Sequence, residues 1–206
     1  NIIYDIGKAS AGSAGIRLYY DNTPVSSVYL YNNTIYNVNF GIQRSGNTLI
    51  AKNNLVYNNT DNYNGIFDAA STNNLSGPDT DLQTPATNAR NGVTVAFVDT
   101  INGDYHLASS DTSAKDQGTD LSSDANLAFS IDVDSQTRSG TWDIGADEYI
   151  LLDTNPPVRS SGSPSSTLVS GTTETTLSLQ TDESATCKYG TVSGTAYSSI
   201  GNTFTG

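Results

Sequence analysis

The side chains in this sequence that could do chemistry are few, and their spacing narrows the chemistry open to them. One histidine (His106) and one cysteine (Cys187) occur in 206 residues. Multi-histidine metal sites, Cys-cluster zinc sites and an internal disulfide framework are therefore excluded. His106 alternates with Tyr105 and Leu107 in a strand-like run with no Ser–His–Asp order around it, so a packing role is expected there. Asp132 and Asp134 offer closely spaced hard oxygens of the kind Ca²⁺ takes, although the other positions of an EF-hand loop are missing. Tyr4, Tyr36 and Tyr57 occupy equivalent positions of a repeat, with Tyr29 and Tyr31 on an adjacent outer face. A row of exposed phenol rings suits a sugar chain, since each ring offers an apolar face and a polar edge. The plainer alternative is stacking that stabilises a sheet or lies under a loop.

The elements that must position these residues read as β structure throughout. Helix formers are scarce (no Met, three Glu, four Lys), while Gly, Asn, Ser and Thr interrupt every stretch. Val28–Asn37 superimposes on Leu49–Asn58, and the pairs Asn32-Asn33, Asn53-Asn54 and Asn73-Asn74 recur at spacings of 21 and 20. A period near 20 residues holds two or three short strands and tight turns, which is one turn of a parallel solenoid. Alternation places Val28, Leu30, Leu49 and Ala51 inside, with Tyr29, Tyr31, Ile50 and Lys52 outside; Ile35 and Val56 face in beyond the bend. The Asn pairs sit at the bends, where Asn tolerates a left-handed backbone, and successive amides should stack as an architectural ladder. Gly-Ile recurs at Gly15-Ile16, Gly41-Ile42 and Gly65-Ile66 as a second element of the repeat.

These rungs resemble right-handed parallel β-helix proteins, the group of pectate, alginate and chondroitin lyases, other secreted polysaccharide-active enzymes and some adhesins. The resemblance covers about residues 1–77. Asp104–Leu107, Thr112–Gly118, Asp132–Arg138 and Asp143–Tyr149 follow in the order seen at the C-terminal end of bacterial exoproteins of the choice-of-anchor Q type. Ser113 and Ser135 depart from that pattern, where a proline and a glycine are usual. The resemblance implies a secreted or cell-surface bacterial protein that binds or degrades extracellular polysaccharide. If it is an enzyme, it would be a lyase or glycoside hydrolase with its active site mostly outside this chain. The lyases use a Lys or Arg base, which makes Lys52 the candidate here; a solvated cation over Tyr31 is the alternative. The rival reading is a non-catalytic adhesin or structural stalk.

Charge and composition divide the chain further. Acidic residues outnumber basic ones 21 to 9, a net −12, which disfavours nucleic acid as a partner. No apolar run approaches the about 20 residues of a membrane helix, and a monomer is expected. Residues 1–98 are expected to be rungs. Residues 99–149, with 11 acidic and 2 basic residues, should form an acidic cap over the last rung. Trp142 and Tyr149 would plug the core, Arg138 would pair with a neighbouring carboxylate, and the remaining negative charge would be solvated. Residues 150–158 read as a Pro-containing linker. Residues 159–206 resemble the opening strands of an Ig-like or fibronectin-like module, with strands expected over 176–181 and 185–190 and Cys187 as a buried small hydrophobe. With no Met in the chain, it reads as an internal or processed piece of something longer.

Overall fold

The computed structural model describes residues 1–7, 12–19, 27–46, 48–85, 87–151 and 155–204. Residues 152–154 of the expected linker lie outside them. The chain divides into two compact units, Asn1–Leu151 and Leu152–Gly206. It is all-β: the one helical element among the described residues is a three-residue 3₁₀ turn, Tyr197–Ser199, and no helix is long and apolar enough to cross a membrane.

The first unit begins with β1 (Ile2–Tyr4) and β2 (Ala14–Leu18). A full turn follows, made of β3 (Val28–Tyr31), β4 (Thr34–Tyr36) and β5 (Phe40–Arg44). The next turn repeats it as β6 (Leu49–Lys52), β7 (Leu55–Tyr57) and β8 (Asp61–Asn64). After it come β9 (Leu75–Gly77) and β10 (Arg90–Asn91). Strands pair in parallel with their counterparts in the adjacent turn, as in Val28↔Leu49, Thr34↔Leu55 and Ile42↔Tyr63. The result is a coil with three parallel sheets, ordered β1-β4-β7-β9-β10, β2-β5-β8 and β3-β6. Ile35, Val38, Ile42, Leu49, Val56 and Tyr63 fill its interior. The Tyr63 hydroxyl reaches the carbonyls of Asn54 (3.0 Å) and Leu75 (3.2 Å), so a polar group inside the coil is satisfied.

Two expectations about the repeat change. The Asn pair supplies two ladders with different directions. Asn32, Asn53 and Asn73 take the left-handed corner, with φ of 48°, 54° and 52°, and their side chains point away from the coil. Asn33, Asn54 and Asn74 form the inner ladder: Asn33 Nδ2 donates to Asn54 Oδ1 (2.8 Å) and Asn54 Nδ2 to Asn74 Oδ1 (3.0 Å). Asn88, with φ 51°, continues the corner row where no Asn pair marks it. The second change concerns Gly-Ile. Ile16 and Ile42 are in register, but the next turn places Tyr63 opposite Ile42, and Ile66 lies exposed. Gly41 is required for space, since a Cβ there would lie 2.2 Å from Val56 Cγ1.

Residues 99–149 were expected to cover the last rung; instead they lie along the side of the coil. β11 (Phe97–Asp99) and β12 (Asp104–Leu107) form an antiparallel hairpin. From Ala108 to Tyr149 no strand occurs, and the segment runs across successive turns as a strap. Trp142 and Tyr149 accordingly do not plug the interior. Trp142 packs with Tyr31, Leu121 and Phe129 outside β3 and β6, and Tyr149 lies against the cluster of Leu55, Leu75, Leu107 and Ile144.

The second unit holds two separate antiparallel pairs, β13 (Arg159–Ser163) with β14 (Ser178–Thr181), and β15 (Lys188–Tyr189) with β16 (Asn202–Thr203). Both middle strands are shorter than the alternation predicts. None of the described residues of this unit is buried, and Cys187 is half-buried because no second layer covers it.

Candidate functional site

The outer faces of the coil carry the five candidate tyrosines and Lys52, and the hairpin and strap lie on most of them. It docks through the corner asparagines. Asn32 Nδ2 donates to the carbonyls of Asp143 (3.1 Å) and Gly145 (2.9 Å). Asn53 Nδ2 donates to Thr119 O (2.8 Å), and its Oδ1 accepts the Thr119 N–H (3.0 Å). Asn73 Nδ2 donates to Gln117 O (2.9 Å). Each amide thus satisfies strap backbone that has no ladder of its own. Gly145 fits against the coil because it lacks a side chain: its φ is +115°, and a Cβ would sit 2.8 Å from Thr34 Oγ1.

The tyrosine row exists, but it is covered. Tyr4, Tyr36 and Tyr57 are in register on β1, β4 and β7. Tyr36 and Tyr57 stack with centroids 6.2 Å apart at 14°. Phe97 of the hairpin meets both edge-on, and Tyr105 lies 4.8 Å from Tyr36 and 4.7 Å from Tyr4. Tyr57 and Tyr31 retain 9% and 7% of their exposure, and Tyr29 packs with Tyr31 and Trp142. Only Tyr4 of the five is exposed. The expectation of an open aromatic row is therefore corrected: the rings are consumed as a docking surface for the hairpin and strap.

Lys52 is committed as well. Its Nζ lies 2.6 Å from Asp124 Oδ2 and 5.1 Å from the centre of the Tyr31 ring. Burial lowers its pKa, but the Asp124 bond and the neighbouring Tyr31 outweigh that and raise it, so the amine stays charged. Burial also pushes Asp124 upward; the Lys52 bond and the N–H groups of Asn126 and Leu127 overcome it and bring the carboxyl to about 2. A protonated, ion-paired amine cannot accept a proton from substrate.

The acidic residues of the strap have a specific use: they replace absent ladder carbonyls as acceptors for backbone N–H groups. Asp111 Oδ2 accepts from Ser113, Ala114 and Lys115, and Asp132 Oδ1 from Asp134 and Gln136. Asp143 accepts from Asp116 and Tyr149, both at 2.6 Å. Asp111, Asp132, Asp143, Asp147 and Glu148 are buried, which corrects the expectation of a solvated surface. Arg138 takes Glu148 as its partner, Nη1 to Oε2 at 2.9 Å, and donates to the carbonyls of Gly145 (3.0 Å) and Ala146 (2.7 Å). Burial raises Glu148 and lowers Arg138, and it drives Asp143 up to about 7 against its two backbone bonds.

His106 does not serve the packing role expected of it. Tyr105 and Leu107 are buried, and the imidazole projects from the other face of β12, partly exposed, among three carboxylates. Nδ1 lies 2.5 Å from Asp104 Oδ1, and Nε2 lies 2.9 Å from Asp134 Oδ2. One ligand atom each of His106, Asp134 and Asp147 falls within a 4.8 Å cluster. Of the expected Ca²⁺ pair, Asp134 belongs to this group, while Asp132 spends both oxygens on its own turn and on the Glu148 N–H (3.3 Å). Asp147 could not be foreseen here, since 40 residues separate it from Leu107, whose N–H it accepts.

The chain matches no protein-family model, no curated protein and no solved structure.

Proposed function

We propose that this chain is a non-catalytic scaffold segment. In this reading it is the end of a right-handed parallel β-helix in a secreted or cell-surface bacterial exoprotein of the choice-of-anchor Q type, followed by an Ig-like module that spaces or displays. The carrying observation is the hairpin and strap, which tie up Lys52 with Asp124 and cover Tyr31, Tyr36 and Tyr57, the residues a polysaccharide-acting face would have used. A structure that spends its aromatic and basic groups on internal docking is suited to rigidity. The test is direct. The chain, incubated with alginate, pectate and chondroitin sulfate, should release no unsaturated uronate and no new reducing ends. Turnover abolished by Lys52→Ala would overturn the scaffold reading.

A second reading, polysaccharide binding, is favoured by one other surface. Arg17, Gln43 and Asn64 stand in register on the outer face of β2, β5 and β8, and Gln43 Nε2 donates to Asn64 Oδ1 at 3.1 Å. Planar polar side chains repeating about every 4.8 Å along a sheet can follow a chain of acidic sugars. Titration calorimetry with alginate checks it: binding should weaken at least about tenfold when Arg17 and Gln43 are both replaced by Ala.

A further inference from the structure

The cluster around His106 poses an electrostatic problem that the protein alone leaves unresolved. The Asp104 carboxylate beside Nδ1 fixes the proton there, since a carboxylate can only accept. That leaves Nε2 as the unprotonated nitrogen, 2.9 Å from Asp134 Oδ2, with Asp147 completing the group. Nε2 is shielded from solvent and makes no hydrogen bond, because the Asp134 oxygen lies out of line for one. A lone pair pressed against two carboxylates is repulsive unless a positive charge sits between them. Two candidates can occupy that point: a proton on Nε2 or a metal ion.

We propose that His106 Nε2, Asp134 and Asp147 bind a divalent zinc ion, with Asp104 as the positioning carboxylate behind the imidazole. Three features of the arrangement favour the metal. A carboxylate on Nδ1 with Nε2 turned to a ligand is the usual way of orienting a metal-binding histidine and making it more basic. The donors come from separate places in the chain, β12, the turn after Asp132 and the end of the strap, yet converge within 4.8 Å. Zn–N and Zn–O bonds of about 2.0–2.2 Å place tetrahedral ligands roughly 3.3 Å apart, which needs only small adjustments here. An imidazole nitrogen with two carboxylates suits zinc; Ca²⁺ takes an all-oxygen shell of six to eight ligands. Water would fill the remaining position. Where Nε2 carries a proton beforehand, zinc displaces it, so uptake releases that proton to solvent and strengthens as pH rises.

Such an ion would fasten the hairpin to both ends of the strap's last loop, a role separate from the scaffold reading above. The test uses the whole chain, freed of metal by a chelator and titrated with zinc chloride in a calorimeter. One zinc per chain is expected. Affinity should fall at least about tenfold in His106→Gln and in Asp134→Asn, whose side chains are both partly exposed, with unchanged circular dichroism. Asp104→Asn should weaken binding by a smaller factor, and Cys187→Ser should leave it unchanged. Co²⁺ should give a visible absorption band that zinc removes and Ca²⁺ does not. The proposal is overturned if the wild-type chain takes up no zinc, if both ligand variants bind as the wild type does, or if Ca²⁺ displaces Co²⁺ equally well.

Discussion

In the coil, strands β3 to β9 satisfy their backbone with parallel ladders and bury apolar side chains in a closed interior. In the strap, residues 108–149 form no strand, and buried carboxylates and corner amides accept or donate what a ladder would. Both regions are packed, but for different reasons. The coil's interactions repeat every turn, so each is one of several equivalents. The strap's interactions are singular: one Arg138, one Asp143 and one Gly145, each with partners that nothing else can replace. A repeating structure spreads a local defect over its neighbours, whereas a strap loses its hold at the weakest of a few points.

The sharpest way to break this contrast is at Arg138. Removing the guanidinium in Arg138→Ala leaves Glu148 buried without its counterion, so a loss of about 3–5 kcal/mol is expected in denaturant unfolding of the chain. In the coil interior, Val56→Ala should cost about 2–3 kcal/mol, the lower part of the range for deleting buried aliphatic groups, because adjacent turns can close around the smaller side chain. If Val56→Ala proves the more damaging of the two, the contrast fails. Asn53→Ala removes three side-chain hydrogen bonds and puts alanine at φ 54°; a loss of about 2 kcal/mol is expected. Amide exchange should accelerate in residues 117–119 and stay slow in the coil strands.

pH gives a graded test. Asp143 titrates near 7 in the folded chain against about 3.9 when unfolded, so the native state holds the extra proton between those values. Its stabilising effect is complete below about pH 4 and is lost as pH rises toward 7. His106 adds to the same trend: burial lowers its pKa, but Asp104, Asp147 and Asp134 raise it overall, so its contribution is present below about pH 6.5 and lost above the folded pKa. Asp124 runs the other way: its contribution is present above about pH 4 and lost as pH falls toward 2. The melting temperature should therefore peak on the acid side of neutrality, near pH 4–5. Asp143→Asn should flatten its decline toward pH 7. The smallest effect is expected from Lys52→Met, which exchanges a partly exposed ion pair for apolar contact with Tyr31 and should alter stability by no more than about 1 kcal/mol.

The two regions also differed in how much could be read from sequence. The coil was legible because its pattern is local: alternation and the Asn pairs place Val28 opposite Leu49 and Asn33 opposite Asn54 with no other information. The reading slipped at Gly65-Ile66, where turns of unequal length break the phase and Tyr63 takes the interior position. The strap was illegible for a physical reason. An aspartate that will accept a backbone N–H looks the same in sequence as one that will face water, and the contacts that bury Asp143 and Asp147 join residues far apart in the chain. The tyrosines were placed on the correct faces, but what covers them, Phe97, Tyr105 and Trp142, arrives from segments with no repeat to announce it.

The corner amides have one more consequence. Gln117 meets the third asparagine corner, Thr119 the second, and Asp143 with Gly145 the first, so the strap works as a ruler laid against the winding. Inserting a whole winding between Asn53 and Asn73 would let the strands pair as before with new neighbours, yet carry the Asn73 amide away from the Gln117 carbonyl. Length changes in the two regions are therefore coupled: a winding added beneath the ruler needs a matching insertion in the strap.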